Sequence, residues 1–150
     1  MDFAAKVLAD ADAHPVKRVI VDLRGNSGGS SRIMWPLRNG LWERRHKLGK
    51  IYVLIGPQTF SSGLLNAQEL HGTFHAPVIG EPSGEKVDSY GEVRTVTLAN
   101  SKLKVQYTIK YFGSKGKSRG PLTPDILVPR TLSDSLSGRD AALEAALAAH

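Results

Sequence analysis

Two adjacent serines, Ser61 and Ser62, lie in residues 51–70, IYVLIGPQTFSSGLLNAQEL, where an apolar run stops at Gly56-Pro57 and Leu64, Leu65, Ala67 and Leu70 then repeat at helical spacing. A strand hands over to a helix through hydroxyls. A serine there can cap the helix by accepting one of the unpaired N–H groups of its first turn. It can also serve as a nucleophile, because the same N–H groups and the positive end of the helix dipole stabilise a developing oxyanion. A second polar turn, Arg24-Gly25-Asn26-Ser27-Gly28-Gly29, has three glycines that permit positive φ and convergent main-chain N–H groups. It is an anion nest or a plain turn. Neither GxGxxG nor GxxxxGK[ST] is present, so the phosphate-loop readings fail.

Other polar residues cluster around these turns. His71 and His75 follow the serine segment, either as bases for Ser61 or as partners of the helix's C-terminal dipole. Asp22 and Arg24 can brace the glycine turn through charge-assisted hydrogen bonds, Glu81 can orient a loop, and Tyr90 and Glu92 line a groove or begin a hairpin. The five histidines show no ligand spacing on a shared helical face, and no metal is expected.

The elements that must position these residues alternate. Residues 2–13 read as a helix stopped by His14-Pro15, residues 16–23 (VKRVIVDL) as a strand apolar enough to be buried on both faces, and residues 30–41 as a short helix limited by Pro36. A strand at 51–55, the serine helix and a short strand at 76–80 follow, which predicts an α/β domain with parallel pairing. Beyond Glu81, residues 92–98 and 102–110 alternate with period two about Ala99-Asn100-Ser101, the pattern of a β-hairpin. A charged glycine-rich loop at 113–120 reads as mobile, 124–129 as an extended segment between prolines, and 137–150 as an alanine-rich amphipathic helix. The chain opens on a core-facing helix with no preceding strand, so an N-terminal portion of the domain is expected to be missing.

Composition bounds the function. The 150 residues suit one ordinary domain, with 41% hydrophobic content and neither an apolar run long enough to span a bilayer nor a secretion signal before the first helix. The absence of cysteine excludes disulfides, thiol nucleophiles and thiolate-ligated metals, and fits either redox compartment. Twenty Lys and Arg against fourteen Asp and Glu give a net charge of +6, gathered in residues 38–50 and 102–119. With no aromatic stacking ladder and no nucleic-acid motif, the basic stretches read as solvated faces, and no nucleic-acid partner is expected.

Four blocks then occur in order: VIVDLRGNSGG (19–29), VLIGPQTFSSG (53–63), VIGEPSGEK followed by SYGEV (78–93), and TPDILVPRTLSDSLSGRDAALEAAL (123–147). In these blocks the chain resembles the tail-processing serine peptidases of the S41 type, the family of C-terminal processing peptidases and tricorn-like enzymes. The resemblance implies a ClpP/crotonase-like spiral of ββα units, a serine endopeptidase acting on a peptide or protein through an acyl-enzyme, no cofactor, and common export from the cytoplasm. It implies that Ser61 is the nucleophile, and that Gly28, Gly29 and Ser62 contribute main-chain N–H groups to an oxyanion hole. In the Ser-Lys branch the base falls on Lys86, 25 residues after Ser61. Lys86 lies between Glu85 and Asp88 and lacks the following glycine of that branch; the block GEPSGEKVDSYGEV is closer to the branch whose base is a histidine from further upstream. The resemblance also admits a peptide-binding domain on the same scaffold without turnover.

Overall fold

In the computed structural model the structure describes residues 3–113 and 119–149. The chain runs as α1 (Phe3–Ala13), β1 (Arg18–Asp22), a 3-10 turn (Ser31–Met34), α2 (Trp35–Glu43), β2 (Lys50–Ile55), α3 (Ser62–Phe74), β3 (Val78–Gly80), β4 (Ser89–Thr97), β5 (Lys104–Phe112), β6 (Ile126–Leu127), α4 (Leu132–Ser137) and α5 (Ala141–Ala148). The fold is α/β: β1, β2, β3 and β6 form a four-stranded, all-parallel sheet in that order, and β4 and β5 a separate antiparallel ribbon.

β2 is the centre of the sheet, and its period of two sorts side chains to opposite faces. Ile51, Val53 and Ile55 join Leu37, Leu41, Ala67, Leu70 and Val78 in one core, under α1, α2 and α3. Tyr52 and Leu54 join Ile79 and Ala146 in a second core, under α5. Each fully buried aliphatic side chain contributes about 1.5–3 kcal/mol. α5 is tied down at both ends. Arg24 donates to both carboxylate oxygens of Asp140, the N-cap of α5, at 2.7 and 2.8 Å. At the other end Tyr52 Oη and Arg18 Nη2 donate to the Ala149 carbonyl at 3.1 and 3.0 Å.

Several boundaries differ from the sequence reading. Pro36 occupies the first turn of α2, where its missing N–H costs nothing, so it starts that helix rather than limiting it. The helix expected at 137–150 starts later, at Ala141, and a separate α4 precedes it, closed by Gly138 with a left-handed φ of 70°. Thr131 and Asp134 form a capping box on α4, and Asp140 caps α5 anew. The hairpin is displaced by a few residues, pairing Ser89 with Phe112 and Thr97 with Lys104. The expectation for the loop at 113–120 falls largely on residues 114–118, outside the described residues. Among the described residues no helix is long and apolar enough to cross a membrane.

Part of the basic charge is locally engaged. Arg44 pairs with Asp12 at 2.6 Å and Arg38 with Glu69 at 3.3 Å, while the Arg45 guanidinium lies 4.3 Å from the Trp42 ring centroid.

Candidate active site

The site is made by two turns that leave adjacent parallel strands at their carboxyl ends. β1 passes into the turn 23–29 and β2 into the turn 56–61, and buried Thr59 staples them together. Its hydroxyl accepts from the Gly56 N–H and donates to the Leu23 carbonyl, both at 2.9 Å. Asn26 adds one further link, its carbonyl accepting from the Phe60 N–H at 3.0 Å, while its own N–H closes the first turn on the Leu23 carbonyl at 3.1 Å. The first turn of α3 abuts this loop so closely that a Cβ on Gly63 would stand 2.4 Å from the Asn26 carbonyl oxygen.

Ser61 sits at the N-cap of α3 with φ 50° and ψ −118°, a region L-residues seldom occupy. Such a backbone costs about 1–3 kcal/mol and persists only where its surroundings enforce it. The Ser61 side chain makes no capping hydrogen bond, so its hydroxyl is left for other use. Ser62, in contrast, is buried within the first turn.

Gly28 and Gly29 both have strongly positive φ, 122° and 124°. Gly28 lies against the serine: a Cβ there would stand 2.9 Å from Ser61 Cβ and 3.3 Å from its Oγ. A Cβ on Gly29 would meet nothing within 4 Å. The Gly28 N–H is taken by the Asn26 side-chain oxygen at 3.1 Å. Of the residues expected around Ser61, Ser62 adjoins it in the chain and Gly28 faces it across the two turns, while a Cβ on Gly29 would face open space.

The ionisable group that meets Ser61 is one the sequence reading did not select. The Ser61 N–H donates to Glu85 Oε2 at 2.7 Å. Glu85 is placed by its neighbours. Gly84 N–H donates to the Thr59 carbonyl at 3.1 Å, and Ser83 Oγ donates to the Glu85 carbonyl at 2.8 Å. Gly84 is required there, since a Cβ would stand 2.1 Å from the Pro57 carbonyl oxygen. Lys86 is exposed and its backbone bridges to Pro121; among the described residues no hydrogen bond or ion pair engages its amine. The only sequence signal for Glu85 was its position in the block that carries Lys86.

The remaining candidates are placed elsewhere. His71 lies in the last turns of the 13-residue α3 and His75 caps its end, about 15 and about 21 Å along its axis from Ser61. His71 Nδ1 lies 3.0 Å from the Ala76 carbonyl, and His75 ends the helix in a left-handed conformation. Asp22 and Arg24 pair at 2.6 Å, and Arg24 continues to Asp140 rather than into the glycine turn. The guanidinium holds Asp140 down to about 2, and Asp22 is also lowered, in each case chiefly through its hydrogen bond to Arg24. Tyr90 stacks with Tyr111 at 5.0 Å on the exposed ribbon.

The arrangement resembles solved structures. A lipoprotein from Streptococcus agalactiae superposes with a TM-score of 0.55 at 17% identity, over 91% of this chain and 58% of its own. A presumed peptidase from Parabacteroides merdae ATCC 43184 does so with a TM-score of 0.58 at 19% identity, over 87% and 51%. The likeness is one of fold. The photosystem II D1 C-terminal processing protease shares it, with a TM-score of 0.55 at 17% identity over 93% of this chain and 43% of the protease. The chain thus spans about half the length of these structures. No protein-family model matches the sequence, and no curated protein matches it.

Proposed function

We propose that this chain is the C-terminal part of a serine peptidase catalytic domain of the S41 type, with a ClpP/crotonase-like spiral as its core. The observation that carries the reading is Ser61: a strained serine at a helix N-terminus, its hydroxyl outside the cap and its Cβ pressed on Gly28. In this reading Ser61 Oγ attacks the scissile carbonyl carbon of a peptide or protein while a base takes its proton. The main-chain N–H groups of Gly28 or Gly29 and of Ser62 receive the oxyanion, and Gly28 does so by exchanging the Asn26 oxygen for substrate. The C–N bond then breaks, the amine leaves with the proton, and water releases the acyl group from Ser61. Lys86 is the base within this chain, with a histidine from an upstream segment as the alternative. The peptidase and protease among the similar structures support the scaffold.

A second reading, a peptide-binding domain without turnover, is favoured by Glu85. Its carboxylate occupies the Ser61 N–H, next to where negative charge would have to develop. Labelling with a fluorophosphonate, followed by mass mapping, separates the two. Modification at Ser61, abolished in Ser61→Ala and retained in part in Ser62→Ala, supports the peptidase; equal labelling of both variants overturns the assignment of Ser61. No labelling of this chain or of an N-terminally extended one leaves the binding domain.

A further inference from the structure

On the α5 side of the same two turns lies a cavity of about 630 Å³ that neither Ser61 nor Gly28 lines. It opens where β1 ends at Asp22, β2 at Ile55 and β3 at Gly80, and α5 closes it through Ala141 and Ala142. Crevices outside the carboxyl ends of parallel strands are where open α/β sheets bind ligands.

The charges in its wall define the class of ligand. Arg24 is consumed by Asp22 and Asp140, and Arg139 by Asp134 and Glu144. Arg130 and Glu81 also line the cavity, and among the described residues no hydrogen bond or ion pair engages either side chain, although the Arg130 charge also favours the ionised form of Asp140. The apolar part of the wall comes from Val128, Pro129 and Ala142; Ile55 is fully buried in the core on the other face of the sheet. A ligand of net negative charge would face Asp22, Glu81, Asp134 and Asp140, and a cation would face three guanidiniums. A molecule carrying one charge of each sign meets neither objection.

We propose that this cavity binds an apolar zwitterion of the amino-acid class, with its carboxylate on Arg130, its ammonium on Glu81 and its side chain against Val128 and Ala142. The site goes beyond the peptidase reading and needs none of the chemistry at Ser61. Because Arg24-Gly25 and Gly56-Pro57-Gln58 line it, occupancy bears on the two turns that hold Gly28 and Ser61. A free amino acid and a short unblocked peptide present the same pair of groups.

The test is an amide NMR titration of the 150-residue chain with leucine, with trileucine and with N-acetyl-leucine amide. Saturable shifts at Gly56, Glu81 and Ala142 with leucine or trileucine, and none with the blocked compound, are expected; the tighter of the two identifies the source. Arg130→Gln and Glu81→Gln should each weaken binding about tenfold, the loss of one hydrogen bond to a charged group. Ser61→Ala should leave it unchanged, so that loss of this site and failure of the peptidase reading are observed separately. The absence of saturable shifts with either zwitterion up to about 20 mM, a concentration well above a millimolar dissociation constant, would overturn the proposal. So would equal binding of the blocked compound, or unchanged affinity in both charge variants.

Discussion

Gly28→Ala and Gly29→Ala form a matched pair, because the two residues share a backbone conformation and differ in what faces them. Both have φ near +123°, taken from values of 122° and 124°, and an alanine at either carries about 1–3 kcal/mol of backbone strain. At Gly29 nothing else opposes the methyl group. At Gly28 the new Cβ would lie 2.9 Å from Ser61 Cβ, and relieving that overlap adds about 1–3 kcal/mol, the usual cost of overpacking. At about 2–4 °C per kcal/mol for a chain of this size, Gly29→Ala should lower the Tm by about 2–12 °C, and Gly28→Ala should lower it further by a similar amount. Thermal unfolding followed by circular dichroism measures both. The second readout is the amide resonances of Ser61 and Ser62, which only Gly28→Ala should move strongly, with any fluorophosphonate labelling falling in parallel. Equal destabilisation of the two variants, with the Ser61 amide unmoved in both, would refute the contact between the glycine turn and the serine.

Two further outcomes follow from the same scaffold. Thr59→Val keeps the buried shape but strands the Gly56 N–H and leaves the Leu23 carbonyl to the Asn26 N–H alone; urea unfolding should show a loss of about 1–3 kcal/mol, and Thr59→Ser should recover most of it. The pairing of Asp140 with Arg24 makes the attachment of α5 acid-sensitive. The folded carboxyl titrates near 2, below its ordinary 3.8, so its contribution is complete above about pH 4 and disappears as pH falls through 2. Because both partners are about one-third exposed, solvent screening limits that contribution to about 1 kcal/mol. Asp140→Asn should therefore differ from the parent by this amount at neutral pH and converge with it near pH 2 in urea midpoints; a constant difference across that range would contradict the assignment.

What could be read from the sequence was what local pattern determines. The burial on both faces expected of residues 16–23 belongs instead to β2, whose run 51–55 is buried throughout, whereas β1 is the edge of the sheet and its Arg18 to Val21 are only half-buried. The passage of strand into helix at Ser61 followed from the change of period, whereas the pairing of that serine with a glycine turn more than thirty residues earlier rested on the family resemblance and on no local pattern. The misreadings have equally local causes. Pro36 was legible as a boundary but not as to which side of it the helix lay, since proline suits a first turn as well as it ends a helix. The alanine-rich run was legible as a helix but its start was not, since Gly138 closes a separate α4 and Asp140 caps α5. Glu85 was not legible at all: its bond to the Ser61 N–H depends on how the 83–85 loop docks on Pro57 and Thr59, which no periodicity encodes.

The way α5 is attached has a consequence for how the molecule opens. β6, α4 and α5 rejoin the sheet only after the long excursion through β4 and β5, so forming them closes a large loop and yields few hydrogen bonds in a two-residue strand. This C-terminal segment should be the last unit to assemble and the first to detach, as a cooperative piece smaller than the whole. Detachment uncovers Tyr52, Leu54 and Ile79, a continuous apolar face at the middle of a sheet. Slowly exchanging amides in β2 combined with faster, correlated exchange across β6 and α5 would be the signature of that partial opening. The same open form would be the aggregation-prone species of this chain, its concentration set by the grip of Arg24 on Asp140 and of Tyr52 and Arg18 on the last carbonyl of the helix.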